Sequence, residues 1–133
     1  MKFISQEQKK FYQECIARTD DFNQDVYHKA LYYTLGLTED CRNHMDMLYN
    51  FKTGCVQQIN GNDFGWITGT DRRIIRLAYN LYNNGYPTAV DIKNADERRK
   101  EIQMYSVSEI FSYLTPLLIE GCFEAIRIRY IYN

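Results

Sequence analysis

The sequence predicts a compact all-α domain of about six helices. Three observations carry that reading. Apolar residues recur at helical spacing along most of the chain. Capping pairs precede three of those stretches, at Ser5 and Gln8, Thr68 and Asp71, and Ser106 and Glu109. A strand-like pattern is confined to residues 55–67. The 133 residues form one ordinary domain, long enough to bury about two-thirds of its unfolded surface.

The elements follow in order. Ser5 caps a first helix, and Phe11, Tyr12, Cys15 and Ile16 carry it to about Thr19. Asp20, Asp21, Phe22 and Asn23 form a polar break. Tyr27, Ala30, Leu31, Thr34 and Leu35 mark the buried face of a second helix, with Gly36 expected as its left-handed terminator. Thr38 caps a third, whose first turn holds Glu39 and Asp40 where the helix dipole favours anions. Its stripe is Cys41, Met45 and Leu48, with His44 on the same side, and Lys52, Thr53 and Gly54 close it. Asn60 and Gly61 then stand between two apolar runs, which signals a hairpin over 55–67. A structured loop is the alternative, because a lone hairpin is marginal.

The fourth helix begins at the Thr68/Asp71 box and runs through Ile74, Leu77, Ala78 and Leu81. Asn83, Asn84, Gly85 and Pro87 stop it. Residues 86–104 read as a variable insertion or exposed loop, and the run Asp96–Glu101 as a solvated loop or short exposed helix. Ser106 starts a fifth helix through Ile110, Phe111 and Leu114. Thr115 and Pro116 start the last one. Leu118, Gly121, Cys122 and Ala125 line one of its faces, Ile119, Phe123, Ile126 and Tyr130 another, and Glu120, Glu124 and Arg127 a polar stripe. Two apolar faces place this helix centrally, and Gly121 and Ala125 admit a close neighbour. Alternation over 128–132 leaves a terminal strand open.

Composition excludes several functions. Sixteen Lys and Arg against 17 Asp and Glu leave a net charge of −1, which is neither a basic nucleic-acid coat nor an acidic mimic. Aromatic residues make up 15%, including 12 Tyr, which argues against disorder. No apolar run approaches the length of a membrane span, and the N-terminus turns polar at Ser5, unlike a signal peptide. The widely spaced Cys15, Cys41, Cys55 and Cys122 fit reduced thiols in a cytoplasmic chain. Phosphate-loop, dinucleotide and serine-hydrolase motifs are absent, so neither a catalytic residue nor a cofactor is predicted.

The candidate sites are surfaces. Cys41 and His44 have the spacing of two zinc ligands, but zinc needs about four, and no second pair exists. Arg72, Arg73 and Arg76 crowd the start of the fourth helix, where cations oppose its dipole, which hints at an anionic partner. The lone Trp66 lies in the glycine-flanked segment leading into that start. It reads either as a plug of the core or as an interface residue. Trp, Tyr and Arg are the residues enriched at binding hot spots. The interface set is therefore Trp66, Arg72, Arg73, Arg76 and Tyr79.

Phe51-Lys52-Thr53-Gly54-Cys55-Val56, Arg76-Leu77-Ala78-Tyr79-Asn80-Leu81-Tyr82 and Glu124-Ala125-Ile126-Arg127-Ile128-Arg129-Tyr130 resemble a family of small uncharacterised proteins. That family belongs to low-GC Gram-positive bacteria, their prophages and other mobile elements. Met1–Ser5 and Ala30–Gly36 are also similar, and the likeness spans the chain outside 86–104. The shared stretches are core-and-cap patterns and bring no active site with them. The resemblance implies a context, in which small proteins often bind and block or redirect a larger host protein, including a defence protein.

Three functions are expected in turn. The first is a non-enzymatic cytoplasmic factor that binds a host- or element-encoded protein through the set above. The second is a nucleic-acid-binding regulator using Arg72, Arg73 and Arg76, whose affinity would fall steeply with salt. The third is a small-molecule-binding protein or small enzyme with its pocket among the tyrosines.

Overall fold

The computed structural model describes residues 1–59, 61–83 and 94–132. Among them are eight α-helices and one antiparallel ribbon, so the all-α single domain stands. The elements are α1 Gln6–Ala17, α2 Val26–Leu35, α3 Glu39–Asn43, α4 Met45–Leu48, β1 Tyr49–Asn50 and β2 Cys55–Val56. They continue as α5 Gly69–Asn83, α6 Ala95–Gln103, α7 Val107–Phe111 and α8 Pro116–Tyr130. Among the described residues, no helix is long and apolar enough to cross a membrane.

The predicted caps form. Ser5 accepts the Gln8 N–H at 3.0 Å, and Ser106 accepts the Glu109 N–H at 3.1 Å. Thr68 and Asp71 close a reciprocal box on α5, at 3.0 and 3.1 Å. Thr115 accepts the Leu118 N–H, with Pro116 in the first turn of α8.

The centre of the fold is α2, not the last helix. All six residues from Ala30 to Leu35 are buried, and α2 packs against α1, α5 and α8. Leu31, Tyr32 and Leu35 enter one apolar cluster with Phe11, Leu48, Ile75 and Tyr79. Ala30 and Tyr33 enter a second with Ile74, Leu81, Cys122 and Ile128. Thr34 survives in this interior because its hydroxyl donates to the Ala30 carbonyl at 2.6 Å. The second apolar face of α8 is only half covered: Ile119 and Ile126 pack against the second cluster, whereas Phe123 and Tyr130 are exposed. Its expected polar stripe is broken by Glu124, which is buried and accepts hydrogen bonds from the Lys2 N–H (2.6 Å), the Tyr132 hydroxyl (2.9 Å) and Arg127 (3.3 Å). Helix geometry continues to Tyr130, which removes the terminal strand.

Three local readings need correction. Gly36 is right-handed, at φ −72°, so it is not a left-handed terminator. Its requirement is space, since an added Cβ would lie 2.9 Å from Phe11 Cδ1 and 3.1 Å from Gln8 Cγ. The single third helix is split at His44 (φ −124°, ψ 26°) into α3 and α4. The ribbon lies earlier than predicted, pairing Tyr49 with Val56 and Asn50 with Cys55. The Asn50 side chain accepts the N–H groups of Lys52 and Thr53, and Gly54 at φ +72° turns the chain back. Lys52, Thr53 and Gly54 thus make a hairpin turn and do not end a helix. Gly61, at φ +100°, leads into a 3-10 turn over Asn62–Phe64, whereas Asn60 lies outside the described residues.

Of the stretch 86–104, residues 86–93 lie outside the described residues, as do the stop residues Asn84, Gly85 and Pro87. The charge run is the helix α6, exposed along most of its length.

Candidate binding surface

The structure separates the five interface residues. Tyr79 leaves the set altogether: it is wholly buried, and its hydroxyl donates to the carbonyls of Leu48 (3.0 Å) and Gln57 (2.6 Å). It ties α5 to the ribbon and to the segment after it. Trp66 is half-buried against the first apolar cluster. Its indole stacks on the His44 imidazole, with centroids 4.0 Å apart and planes 6° apart, and its Nε1 is buried without a hydrogen-bond partner. That is the plug reading, placed over the break between α3 and α4.

The arginines do not form one free basic face. Arg76 is pinned to Glu101 of α6, Nε to Oε1 at 3.7 Å, with side chains only 12% and 11% exposed. The separation is too long for a hydrogen bond, and neither atom has another partner. Burial lowers the Arg76 pKa, and Glu101 opposes that. Arg72 is half-buried beside Arg76, whose charge it opposes. Arg73 lies across helices: Nε donates to the Glu109 carbonyl at 3.0 Å and Nη1 to the Gly69 carbonyl at 2.9 Å. Its guanidinium sits 4.9 Å from the Tyr113 ring centroid, a cation–π distance.

Arg73 therefore holds α7, and Tyr113 just after it, against the first turn of α5. The surface it builds is apolar where the sequence suggested charge. Tyr113 is 77% exposed, Val107 74% and Leu117 57%. The rings of Phe111 and Phe123, 5.9 Å apart, join α7 to α8. Val107, Tyr113 and Leu117 share the chain segment 107–117, and apolar side chains exposed together on a soluble domain mark interaction sites where they form one contiguous patch. Sequence reasoning missed Val107, Tyr113 and Leu117. Tyr113 follows the capped Ile110–Phe111 turn, and its spacing carried the signal, but not which side of the helix faced out.

The metal pair does not converge. Cys41 is wholly buried, and burial pushes its thiol up to about 12. His44 Nδ1 contacts the Asp40 carbonyl at 2.7 Å, and its ring is covered by Trp66. Among the described residues, no three His, Cys, Asp or Glu side chains gather as a metal site would require.

A second group was overlooked. Asp25 caps α2 by accepting the His28 N–H at 3.0 Å, and its same oxygen lies 2.8 Å from His28 Nδ1. His28 Nε2 lies 3.3 Å from the Tyr82 hydroxyl, which donates to the Gly54 carbonyl at 2.6 Å. Burial raises the Asp25 pKa, but the His28 N–H and ring outweigh it and hold the carboxyl below its usual range. Burial pushes the Tyr49 and Tyr82 phenols well up. The Asp-x-x-His spacing was visible in the sequence; the approach of Tyr49 and Tyr82 from distant elements was not.

The whole chain, residues 1–133, matches a family of unknown function, DUF6075. The chain belongs to that family. No curated protein matches it, and no solved structure does. Membership in DUF6075 agrees with the sequence resemblance at the level of an unassigned family and brings no site residues with it.

Proposed function

We propose that this DUF6075 protein acts without catalysis, by binding another protein through the surface around Tyr113. The observation that carries the proposal is the placement of Tyr113, 77% exposed yet fixed over Arg73. An aromatic anchor held rigid in the free protein loses little conformational entropy on binding. Val107 and Leu117, within six residues of it in the chain, are exposed apolar side chains as well. The resemblance to proteins of prophages and mobile elements supports a cytoplasmic setting and a host target, including a defence protein, that is inhibited or redirected.

The test is a tagged capture from host lysate, with and without nuclease, comparing wild type with Tyr113→Ser combined with Leu117→Ser. Both side chains are exposed, so the variant keeps its fold. The expected result is one protein captured in a fixed ratio by wild type, resistant to nuclease and lost with the variant. Capture that vanishes with nuclease would assign the surface to nucleic acid. Equal capture by the variant would show that this surface is not the one used. Arg73→Glu with Arg76→Glu is a poorer probe, because it would set a carboxylate against the buried Glu101 and loosen α6.

A further inference from the structure

Helix α8 leaves one side uncovered. Pro116, Glu120, Phe123, Arg127 and Tyr130 recur at alternating spacings of four and three residues, which keeps them on one side of the helix. All five are exposed. Cys122, Ala125 and Ile128, on the opposite side, are buried in the second apolar cluster. We infer that this stripe binds a second copy of the chain, with the two α8 helices antiparallel about a two-fold axis beside Phe123. The Tyr113 surface shares none of these side chains, so the inference does not rest on it.

The charges select the occupant. Glu120 and Arg127 are two turns apart, about 10 Å along the axis, too far to pair within one helix. Among the described residues Glu120 has no hydrogen-bond or ion-pair partner. Arg127 gives one N–H to Glu124 at 3.3 Å, and a guanidinium has five. Glu120 lies three residues before Phe123 and Arg127 four after it. Turning one helix over about an axis between positions 123 and 124 therefore sets Glu120 of each copy level with Arg127 of the other. The same operation lays Phe123 against Phe123 and brings Tyr130 and Ile131, both exposed, to Pro116 of the second copy. A parallel arrangement would oppose Glu120 to Glu120 and Arg127 to Arg127. A stripe whose two charges are opposite in sign about its own midpoint complements itself, as a two-fold interface requires.

The size of the stripe sets the strength. Fifteen residues make α8 about 22 Å long. One side of such a helix falls short of the roughly 800 Å² per partner in a standard stable interface, so the dimer is reversible and forms with concentration.

The test is sedimentation velocity on the purified full chain from about 1 µM to about 1 mM, the range in which so small an interface associates. The expected result is monomer at the low end and dimer at the high end. Glu120→Arg sets two cations against each other on both sides of the axis and weakens association by at least about tenfold. Arg127→Glu does the same with two anions. Mixing these two variants restores a dimer containing one of each, because every facing pair is again opposite in charge. Arg127 also touches the buried Glu124, so the helical signal of Arg127→Glu is checked first. Phe123→Lys, at an exposed ring, tests the same side of the helix without that contact and also abolishes the dimer. A wild type that stays monomeric across the range would overturn the inference. So would a dimer that survives Glu120→Arg or Phe123→Lys, or two folded opposite variants that fail to associate when mixed.

Discussion

Removing one oxygen from Tyr79 separates a core role from a binding role. Its hydroxyl reaches two carbonyls, of Leu48 and Gln57, from a fully buried ring. In Tyr79→Phe the Leu48 carbonyl keeps the Gln57 N–H, at 2.8 Å. The Gln57 carbonyl loses the hydroxyl at 2.6 Å. Gln57 is only half-buried, so losing this bond costs the usual net value of about 0.5–1.5 kcal/mol. In a domain of this size each kcal/mol lowers Tm by roughly 3–4 °C, so a fall of about 2–6 °C is expected. Thermal unfolding followed by circular dichroism at 222 nm reads it directly. Capture of a partner by the folded variant should be unchanged. An unshifted Tm, or lost capture at unchanged Tm, would refute the hydrogen-bonded core assignment.

Other perturbations have equally defined outcomes. Gly121→Ala drives a Cβ into Leu37 and to 3.3 Å from Ile4 Cγ2, so urea unfolding should show a loss of about 1–3 kcal/mol from overpacking. Native thiol titration with an aromatic disulfide should modify Cys55 alone, because Cys15, Cys41 and Cys122 are buried and raised to about 12; fast reaction of a second thiol contradicts this. Burial raises the Glu124 pKa, but the Lys2 N–H, Tyr132 and Arg127 outweigh it, and the carboxyl is held below its usual range. A depressed carboxylate stabilises the fold above its unfolded pKa of about 4.3 and ceases to as pH falls through the folded value. The stability gap between wild type and Glu124→Gln should therefore be widest near neutrality and shrink in acid, as read by urea unfolding across that range.

The helices were legible because caps and periodicity are local. Ser5, Thr68, Ser106 and Thr115 each announce a helix through residues three positions away. The order of burial was less legible, because α2 and α8 are both apolar on more than one side. Only packing decides that Tyr33 is buried while Phe123 is exposed. The ribbon was misplaced because two turn signals competed, and Asn50 with Gly54 prevailed over Asn60 with Gly61. At the candidate site, Arg73 was legible as an unusual cation in a first turn. Its use as a brace for Tyr113 depends on a contact 40 residues away in sequence. The Asp25–His28–Tyr82 group was hidden for the same reason, since 54 residues separate His28 from Tyr82.

The most direct measurement is photo-crosslinking from position 113 in living host cells. Tyr113 is replaced by p-benzoylphenylalanine, with Gln58, exposed elsewhere, as the control position. The account predicts a discrete protein adduct after irradiation from position 113, and none from position 58. An adduct from position 58 with none from 113 would contradict the claim that this protein works through its Arg73-braced surface.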